Sequence, residues 1–260
     1  MINSLWIAKT GMSAQQTQLD VISHNLANVS TTGYKRNNAV FEDLIYQNLR
    51  QVGANTTEQN QLPTGLHLGL GVRTVATSRN FVQGSLQESK NNLDVAINGN
   101  GFLEVTMPDG TIGYTRDGSF QVDAQGRLVN SSGLPVANGI TIPQGTTSVN
   151  ISADGAVSAI VAGNTQPQPL GNLAMSSFIN SAGLEPVGQN LYKESAASGQ
   201  PQQGTPGTNG LGYIRQGFLE ASNVNVVEEL VTMIQTQRAY EMNSKAIQTS
   251  DQMLAKLSQL

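Results

Sequence analysis

Val226, Met233, Tyr240, Ile247 and Leu254 recur every seven residues within Ser222 to Leu260, a stretch without proline or glycine. That spacing lays a continuous apolar stripe along one long helix. Asn225, with Glu228 three places on, reads as an N-terminal capping box, and Glu228 and Glu229 suit the positive end of the helix dipole. At about 1.5 Å per residue the helix reaches roughly 50 Å. Only a partner helix buries a stripe of that length. The other end of the chain offers one, because Leu5, Met12, Leu19 and Leu26 repeat at the same interval, with Ala8, Gln15, Ile22 and Val29 in the second seam row. The two patterns predict a coiled-coil-like pairing of the chain's own termini. Gln237, Ser244 and Asp251 stand where a dedicated two-stranded coiled coil would carry Leu. Polar groups there cost stability but fix register, or they face further helices. The alternative is two ordinary amphipathic helices packed on a globular core.

The first helix is expected from Asn3 to Asn28, ending where Gly33 supplies a left-handed turn and Ser30, Thr31 and Thr32 compete for backbone bonds. A segment from Ala39 to Arg50 reads as extended or short-helical. Gln51 to Leu62 is almost wholly polar and, taken alone, reads as a loop. From Gly71 to Gly217 short β-rich runs alternate with turn signals at Asp109-Gly110, Asp117-Gly118, Gln125-Gly126, Ser132-Gly133 and Asp154-Gly155. Such spacing argues an all-β barrel or sandwich. Gly99-Asn100-Gly101 reads as a tight bend between strands, and Ser195 to Gly212 as an exposed loop. The fold class is therefore α+β. Residues 1–33 and 222–260 form a terminal helical core domain, 34–70 a connector with a polar insertion at 46–63, and 71–221 a β-rich outer domain.

Chemistry finds little footing. The chain has no cysteine, which excludes disulfides, thiolate catalysis and Cys-based zinc sites. Of its histidines, His24 lies inside the first helix next to Asn25, and His67 has no carboxylate at metal-ligand spacing. The Asp-Gly pairs lack the alternating carboxylates of a calcium loop and read as hairpin turns. A formal net charge of -4 without a basic stripe gives nucleic-acid binding no support. No catalytic, cofactor-binding or metal residue is assigned. Charged residues make up only 12%, a composition suited to a surface that meets other protein. No apolar run is long enough to span a membrane, and the N-terminus lacks the pattern of a cleavable secretion signal.

Three stretches together resemble the signatures of the bacterial flagellar rod and hook axial family. The first is Asn25-Leu26-Ala27-Asn28-Val29-Ser30-Thr31-Thr32-Gly33-Tyr34-Lys35-Arg36. The second is Asp94-Val95-Ala96-Ile97-Asn98-Gly99-Asn100-Gly101-Phe102, followed by Tyr114-Thr115-Arg116-Asp117-Gly118-Ser119-Phe120. The third is Ser222-Asn223-Val224-Asn225-Val226 with Gln237-Arg238-Ala239-Tyr240-Glu241-Met242-Asn243-Ser244-Lys245. The likeness runs from end to end, and the stretch from Tyr46 to Pro63 resembles an insertion of the distal-rod branch. The resemblance implies a structural subunit, not an enzyme, that polymerises helically into a rigid hollow tube, transmits torque and carries the export channel. It implies proximal rod proteins below, hook protein above, P-ring and L-ring proteins around the rod, and delivery by the flagellar type III export apparatus without a cleaved signal. It places the chain in the basal body, in the part of the rod that spans the periplasm.

The residues implied in assembly are Leu5, Met12, Leu19, Ile22, Asn25, Leu26, Asn28, Val226, Leu230, Met233, Tyr240, Ile247 and Leu254. The residues implied in insertion contacts are Tyr46, Arg50, Gln59, Leu62 and Pro63. Gln15, Gln237, Ser244 and Asp251 become candidates for subunit contacts or the channel lining. Arg73, Arg79, Lys90 and Arg116 are expected toward the outer surface. The nearest alternative is a proximal rod protein of the same family. Less favoured are a coiled-coil adapter that does not polymerise and a cell-wall enzyme.

Overall fold

A computed structural model describes residues 2–52, 55–57, 60–61, 64–163 and 166–257. The chain divides into two compact units. One comprises Met1–Leu26, Asn37–Ser78 and Asn225–Leu260, and the other Ala27–Arg36 and Arg79–Val224. The backbone therefore passes between them at four places.

In the first unit, α1 (Ile2–Ala27) is unbroken because its sequence holds no proline and a single glycine, Gly11. It ends at a turn in which the Thr31 N–H donates to the Asn28 carbonyl at 3.1 Å. α2 (Val226–Leu257) runs for 32 residues, about 48 Å. Asn225 caps it, accepting the Val227 N–H on Oδ1 at 3.1 Å, as its side chain predicts. The helices run antiparallel, since Asn25 meets Glu229 while Gln15 meets Asn243 fourteen residues further along α2. Gly11 permits that approach. A Cβ there would lie 3.0 Å from the Asn243 amide nitrogen.

Strands β1 (Asn37–Asp43), β2 (Tyr46–Arg50), β3 (Asn55–Thr57), β4 (Asn60–Gln61), β5 (Leu66–Gly69) and β6 (Val72–Arg79) fill the segment between α1 and the second unit. β1 pairs with β6, β2 with β5, and β3 with β4. The segment read as extended or helical is thus extended. The polar stretch is no plain loop, because it holds the paired β3 and β4, and β2 and β5 on either side form an antiparallel arm in the register Tyr46↔Gly69 to Arg50↔Leu66. The pairing that fixes the arm is between residues some twenty apart, which local polarity does not reveal.

The second unit carries the hydrophobic core. Its strands are β7 (Leu86–Glu88), β8 (Val95–Asn98), β9 (Phe102–Thr106), β10 (Ile112–Thr115), β11 (Phe120–Val122), β12 (Leu128–Asn130), β13 (Thr146–Ile151) and β14 (Ala156–Val161). They continue with β15 (Gln168–Asn172), β16 (Met175–Ser177), β17 (Glu185–Gly188), β18 (Leu191–Lys193), β19 (Gln202–Gly204), β20 (Tyr213–Gln216) and β21 (Phe218–Glu220). A six-stranded antiparallel sheet has the order β17-β18-β10-β9-β16-β19, and β13-β14-β15 form a second sheet. β8 pairs with β20 and β7 with β21, tying the start of the unit to its end.

Most of the turn signals act as read: Gly110, Gly126, Gly133 and Gly155 all adopt positive φ. Gly118 is different. Its role is close approach, since a Cβ there would come within van der Waals overlap of the Val95 carbonyl. The Ser195–Gly212 segment departs from the loop reading, because β19 within it forms one edge of the six-stranded sheet and Leu211 joins the core.

Val95, Ile97, Leu103, Phe120, Leu128 and Met175 lead one buried cluster. Phe102, Tyr114, Phe178, Leu184 and Tyr192 form another, with the Tyr114 and Phe178 rings edge-to-face at 4.7 Å. Burial, then Glu104 and Glu194, raise the Tyr114 pKa from 10.0 to about 12. The folded unit thus keeps the phenolic proton after the unfolded chain has lost it. That contribution is complete below pH 10 and disappears as pH climbs toward 12. Between those limits the chain should lose about 2–3 kcal/mol of stability that Tyr114→Phe does not lose. Urea unfolding at a series of alkaline pH values measures it, and parallel curves for the two chains would refute the assignment.

Candidate assembly site

The sequence stretches singled out above converge on Glu220, a residue that sequence reasoning passed over. Segment 27–36 threads into the second unit. There the Gly33 N–H donates to the Glu220 carbonyl at 2.8 Å, and Asn190 Nδ2 donates to the Thr32 carbonyl at 3.1 Å. Asn28 stabilises the bend by accepting the Thr31 hydroxyl at 3.2 Å. Asn223 closes the other side. Its Oδ1 accepts the Arg36 N–H at 2.8 Å, while its Nδ2 donates to the carbonyls of Asn80 at 2.8 Å and Val82 at 2.9 Å.

At the centre lie three charged side chains out of solvent. Lys35 Nζ donates to Glu220 Oε1 at 2.6 Å and to the Val82 carbonyl at 3.0 Å. Glu220 Oε1 also accepts the Gly84 N–H at 2.9 Å, and Oε2 accepts Arg116 Nη1 at 3.3 Å. The Lys35 and Glu220 side chains are 0% exposed and Arg116 3%. Burial lowers the Lys35 pKa, opposed by Glu220 and reinforced by the charge of Arg116. Burial likewise lowers that of Arg116 against the pull of Glu220. The expectation that Arg116 faces outward is therefore wrong. A Thr-Arg-Asp-Gly turn looks exposed in one dimension, but the guanidinium is drawn inward by the Glu220 carboxylate.

Gly33 makes this arrangement possible. Its φ is +69°, and a Cβ would stand 2.7 Å from the Asp117 nitrogen and 2.8 Å from the Arg116 carbonyl carbon. Gly33→Ala should cost about 2–4 kcal/mol. Near-UV circular dichroism of the tyrosines during urea unfolding reads this unit, and a loss under about 1 kcal/mol would show that the turn relaxes freely.

In the first unit Asn25 is the corresponding fixed point. It is buried, donates Nδ2 to the Asn37 carbonyl at 2.8 Å and accepts the Asn37 N–H at 2.9 Å, so its amide completes β1 as a backbone strand would. The same Nδ2 reaches Glu229 of α2 at 3.5 Å. Ile22 is buried, and Leu5, Met12, Leu19 and Leu26 are half-buried. On α2 the covered residues are mainly polar. Glu229 and Thr236 are buried and Asn243 and Ser250 half-buried, with Met233 and Ile247 half-buried beside them. Gln237 and Asp251 are exposed while Ser244 is half-buried, so of the second row expected only Ser244 is covered, and Thr236, Asn243 and Ser250, each one residue earlier, are covered as well.

The apolar residues of α2 lie largely on the outside. Val226, Leu230 and Tyr240 are exposed, as are Val227, Val231, Ile234 and Met242. The β2–β5 arm is alike, with Tyr46 and Arg50 exposed together with Ile45, Leu49, Val52, Leu66 and Leu68. Among the described residues of this unit the buried apolar side chains are Ala8, Ala14 and Ile22. Gln59, Leu62, Pro63 and the side chain of Leu254 lie outside the described residues. Among the described residues no His, Asp and Glu group could hold a metal ion, and no helix is long and apolar enough to cross a membrane.

Sequence comparison matches three segments of the chain. Residues 5–35 match the family described as flagella basal body rod protein, 96–159 the flagellar hook protein FlgE/F/G D1 domain, and 215–260 the flagellar basal body rod FlgEFG protein C-terminal family. The chain is 58% identical over 260 residues to the flagellar basal-body rod protein FlgG of Buchnera aphidicola from Acyrthosiphon pisum, covering 100% of both chains. It is 50% identical over 256 residues to FlgG of Borreliella burgdorferi, covering 98% of this chain and 97% of the relative. It is 43% identical over 260 residues to FlgG of Caulobacter vibrioides, covering 100% and 99%. With every signature residue of the buried clasp falling in or beside the matched segments, the chain belongs to the FlgG family of flagellar basal-body rod proteins, structural subunits of the distal rod.

Proposed function

We propose that this rod protein acts by helical polymerisation into a hollow tube. In this reading α1 and α2 pair as a coiled-coil-like core in the tube wall, and the β2–β5 arm reaches neighbouring copies. The observation that carries it is the inverted surface of the first unit, which covers polar residues of α2 and presents Val227, Leu230, Val231 and Ile234 to solvent. An apolar surface of that extent on an isolated chain costs about 25 cal/mol per Å² until something covers it. Identical copies in a helical array are the simplest cover, since each presents the same faces.

Leu5, Met12, Leu19, Leu26, Met233 and Ile247 then hold the helix pair together, while Val226, Leu230 and Tyr240 meet the next subunit. Tyr46 and Arg50, with Gln59, Leu62 and Pro63, stiffen the contact between copies and keep the tube straight. Torque passes through many equivalent contacts. The partners in this reading are proximal rod proteins below, hook protein above and the P-ring and L-ring proteins around a periplasm-spanning shaft. Delivery is by the flagellar type III export apparatus. Truncation before Asn225 in the native host tests it by electron microscopy of isolated basal bodies. Rods that stop short of the outer rings and bear no hook are expected, and complete flagella would overturn the proposal.

A further inference from the structure

Asparagine followed by glycine is the pair at which a polypeptide most readily attacks itself, because no side chain shields the glycine nitrogen. This chain has four such pairs, beginning at Asn98, Asn100, Asn138 and Asn209. Three of them are held. The Gly99 N–H donates to Gln83 Oε1 at 3.0 Å, and Asn98 Oδ1 accepts Gln83 Nε2 at 3.5 Å. The Gly139 N–H donates to the Val136 carbonyl at 3.3 Å, and Asn138 Nδ2 to the Asn172 carbonyl at 3.2 Å. Gly101 is buried, and a Cβ there would stand 2.7 Å from the Met175 methyl and 3.0 Å from the Leu211 side chain. The fourth pair is free. Asn209 and Gly210 are the central residues of a turn closed by the Leu211 N–H on the Thr208 carbonyl at 2.9 Å. Their φ values of +51° and +78° are those of a type I′ turn. Both residues are exposed, and nothing lies within 4 Å of where a Gly210 Cβ would stand. Among the described residues, neither the Asn209 side chain nor the Gly210 N–H has a hydrogen-bond partner.

We propose that Asn209 is a deamidation site of the folded chain, with the Gly210 amide nitrogen as its nucleophile. The nitrogen gives its proton to water or hydroxide and attacks Asn209 Cγ. A C–N bond forms, closing a succinimide ring, and the Cγ–Nδ2 bond breaks to release ammonia. Water then opens the ring at either carbonyl carbon. Opening at Cγ leaves aspartate, while opening at the main-chain carbonyl leaves isoaspartate, whose backbone runs through Cβ. Closure requires Asn209 to rotate out of its left-handed conformation, which the open space at Gly210 permits. At the other pairs a hydrogen bond or a packed neighbour has to give way first, and one such bond corresponds to about a tenfold lower rate. Either product adds a negative charge. Isoaspartate also lengthens the backbone two places before Leu211, a core residue, and just ahead of Gly212, whose N–H donates to the Asn100 carbonyl at 2.7 Å.

The full-length monomer, kept at mildly alkaline pH and sampled over days, is digested and each Asn-Gly peptide followed by mass spectrometry. Labelling by an isoaspartyl methyltransferase reads the rearranged product independently. Asn209 should convert at least about tenfold faster than Asn98, Asn100 or Asn138. In the urea-unfolded chain the four rates should converge, because it is the fold that sets them apart. Asn209→Gly, which suits the left-handed turn, should remove most of the ammonia released by the folded chain. Comparable rates at the four pairs in the folded chain, faster conversion at any of the other three, or an undiminished lead of Asn209 in urea would each overturn the proposal. None of these readouts depends on how the rod polymerises.

Discussion

Glu220→Gln should destabilise the β-rich unit by about 3–5 kcal/mol, far beyond the effect of removing either of its partners. The reason lies in the arithmetic of the buried cluster. Glu220 is the anion for two cations, Lys35 at 2.6 Å and Arg116 at 3.3 Å, and all three side chains are shielded from water. Taking away the carboxylate charge leaves two positive groups in a medium that solvates neither. Taking away Lys35 as Lys35→Met leaves one ion pair, Arg116 with Glu220, and exchanges a buried ammonium for an apolar chain of similar length. That variant should lose no more than about 1–2 kcal/mol. Urea unfolding of the full chain, followed by tyrosine near-UV circular dichroism, separates the cases. If the two variants lose the same amount, charge balance is not what holds the cluster. The larger loss should also reach the flagellum, because Gly33 and the segment carrying Lys35 hang on Glu220 through both its backbone and its side chain.

The double substitution Val231→Asp and Ile234→Asp should leave the isolated chain as stable as before and abolish rod formation. Both side chains are 49% exposed on α2, so neither carboxylate is buried in the monomer. Surface changes of this kind usually move stability by about 0.5 kcal/mol or less. In an array that covers this face, each carboxylate would be desolvated without a partner, at several kcal/mol per site and repeated in every subunit. Thermal unfolding of the monomer and swimming in soft agar give the two readouts. A non-motile strain whose purified chain unfolds at the wild-type temperature supports the assembly face. A motile strain removes it, whatever the monomer does.

Much of the architecture was legible in the residues. The heptad intervals gave two long helices, Asn225 announced the cap of α2, and the Asp-Gly and Ser-Gly pairs marked hairpin turns that the positive φ of Gly110, Gly133 and Gly155 makes concrete. The face of α2 was harder to read. Heptad reasoning assumes that apolar residues turn inward, whereas here Thr236 and Asn243 turn toward α1 and Val231 and Ile234 turn away. A chain whose helices serve two interfaces carries two stripes, and periodicity does not rank them. Glu220 was invisible for another reason. It ends a short strand next to Ala221-Ser222, with nothing nearby to distinguish it from a solvated acid. Its partners stand 104 and 185 residues away. Pairing of β2 with β5 was hidden likewise, since the polar residues between them look disordered to any local rule.

The four passages of the backbone between the two units have a consequence for inheritance. Neither unit is contained in any single continuous fragment, because each is assembled from pieces separated by the other. A gene cut at one point, or recombined with a relative's at one point, exchanges part of both. Novelty in such a chain has to enter as insertions at loop tips or as coordinated point changes, and a foreign second unit cannot be grafted on through one splice. For the same reason a single proteolytic nick leaves the units still joined by the remaining passages.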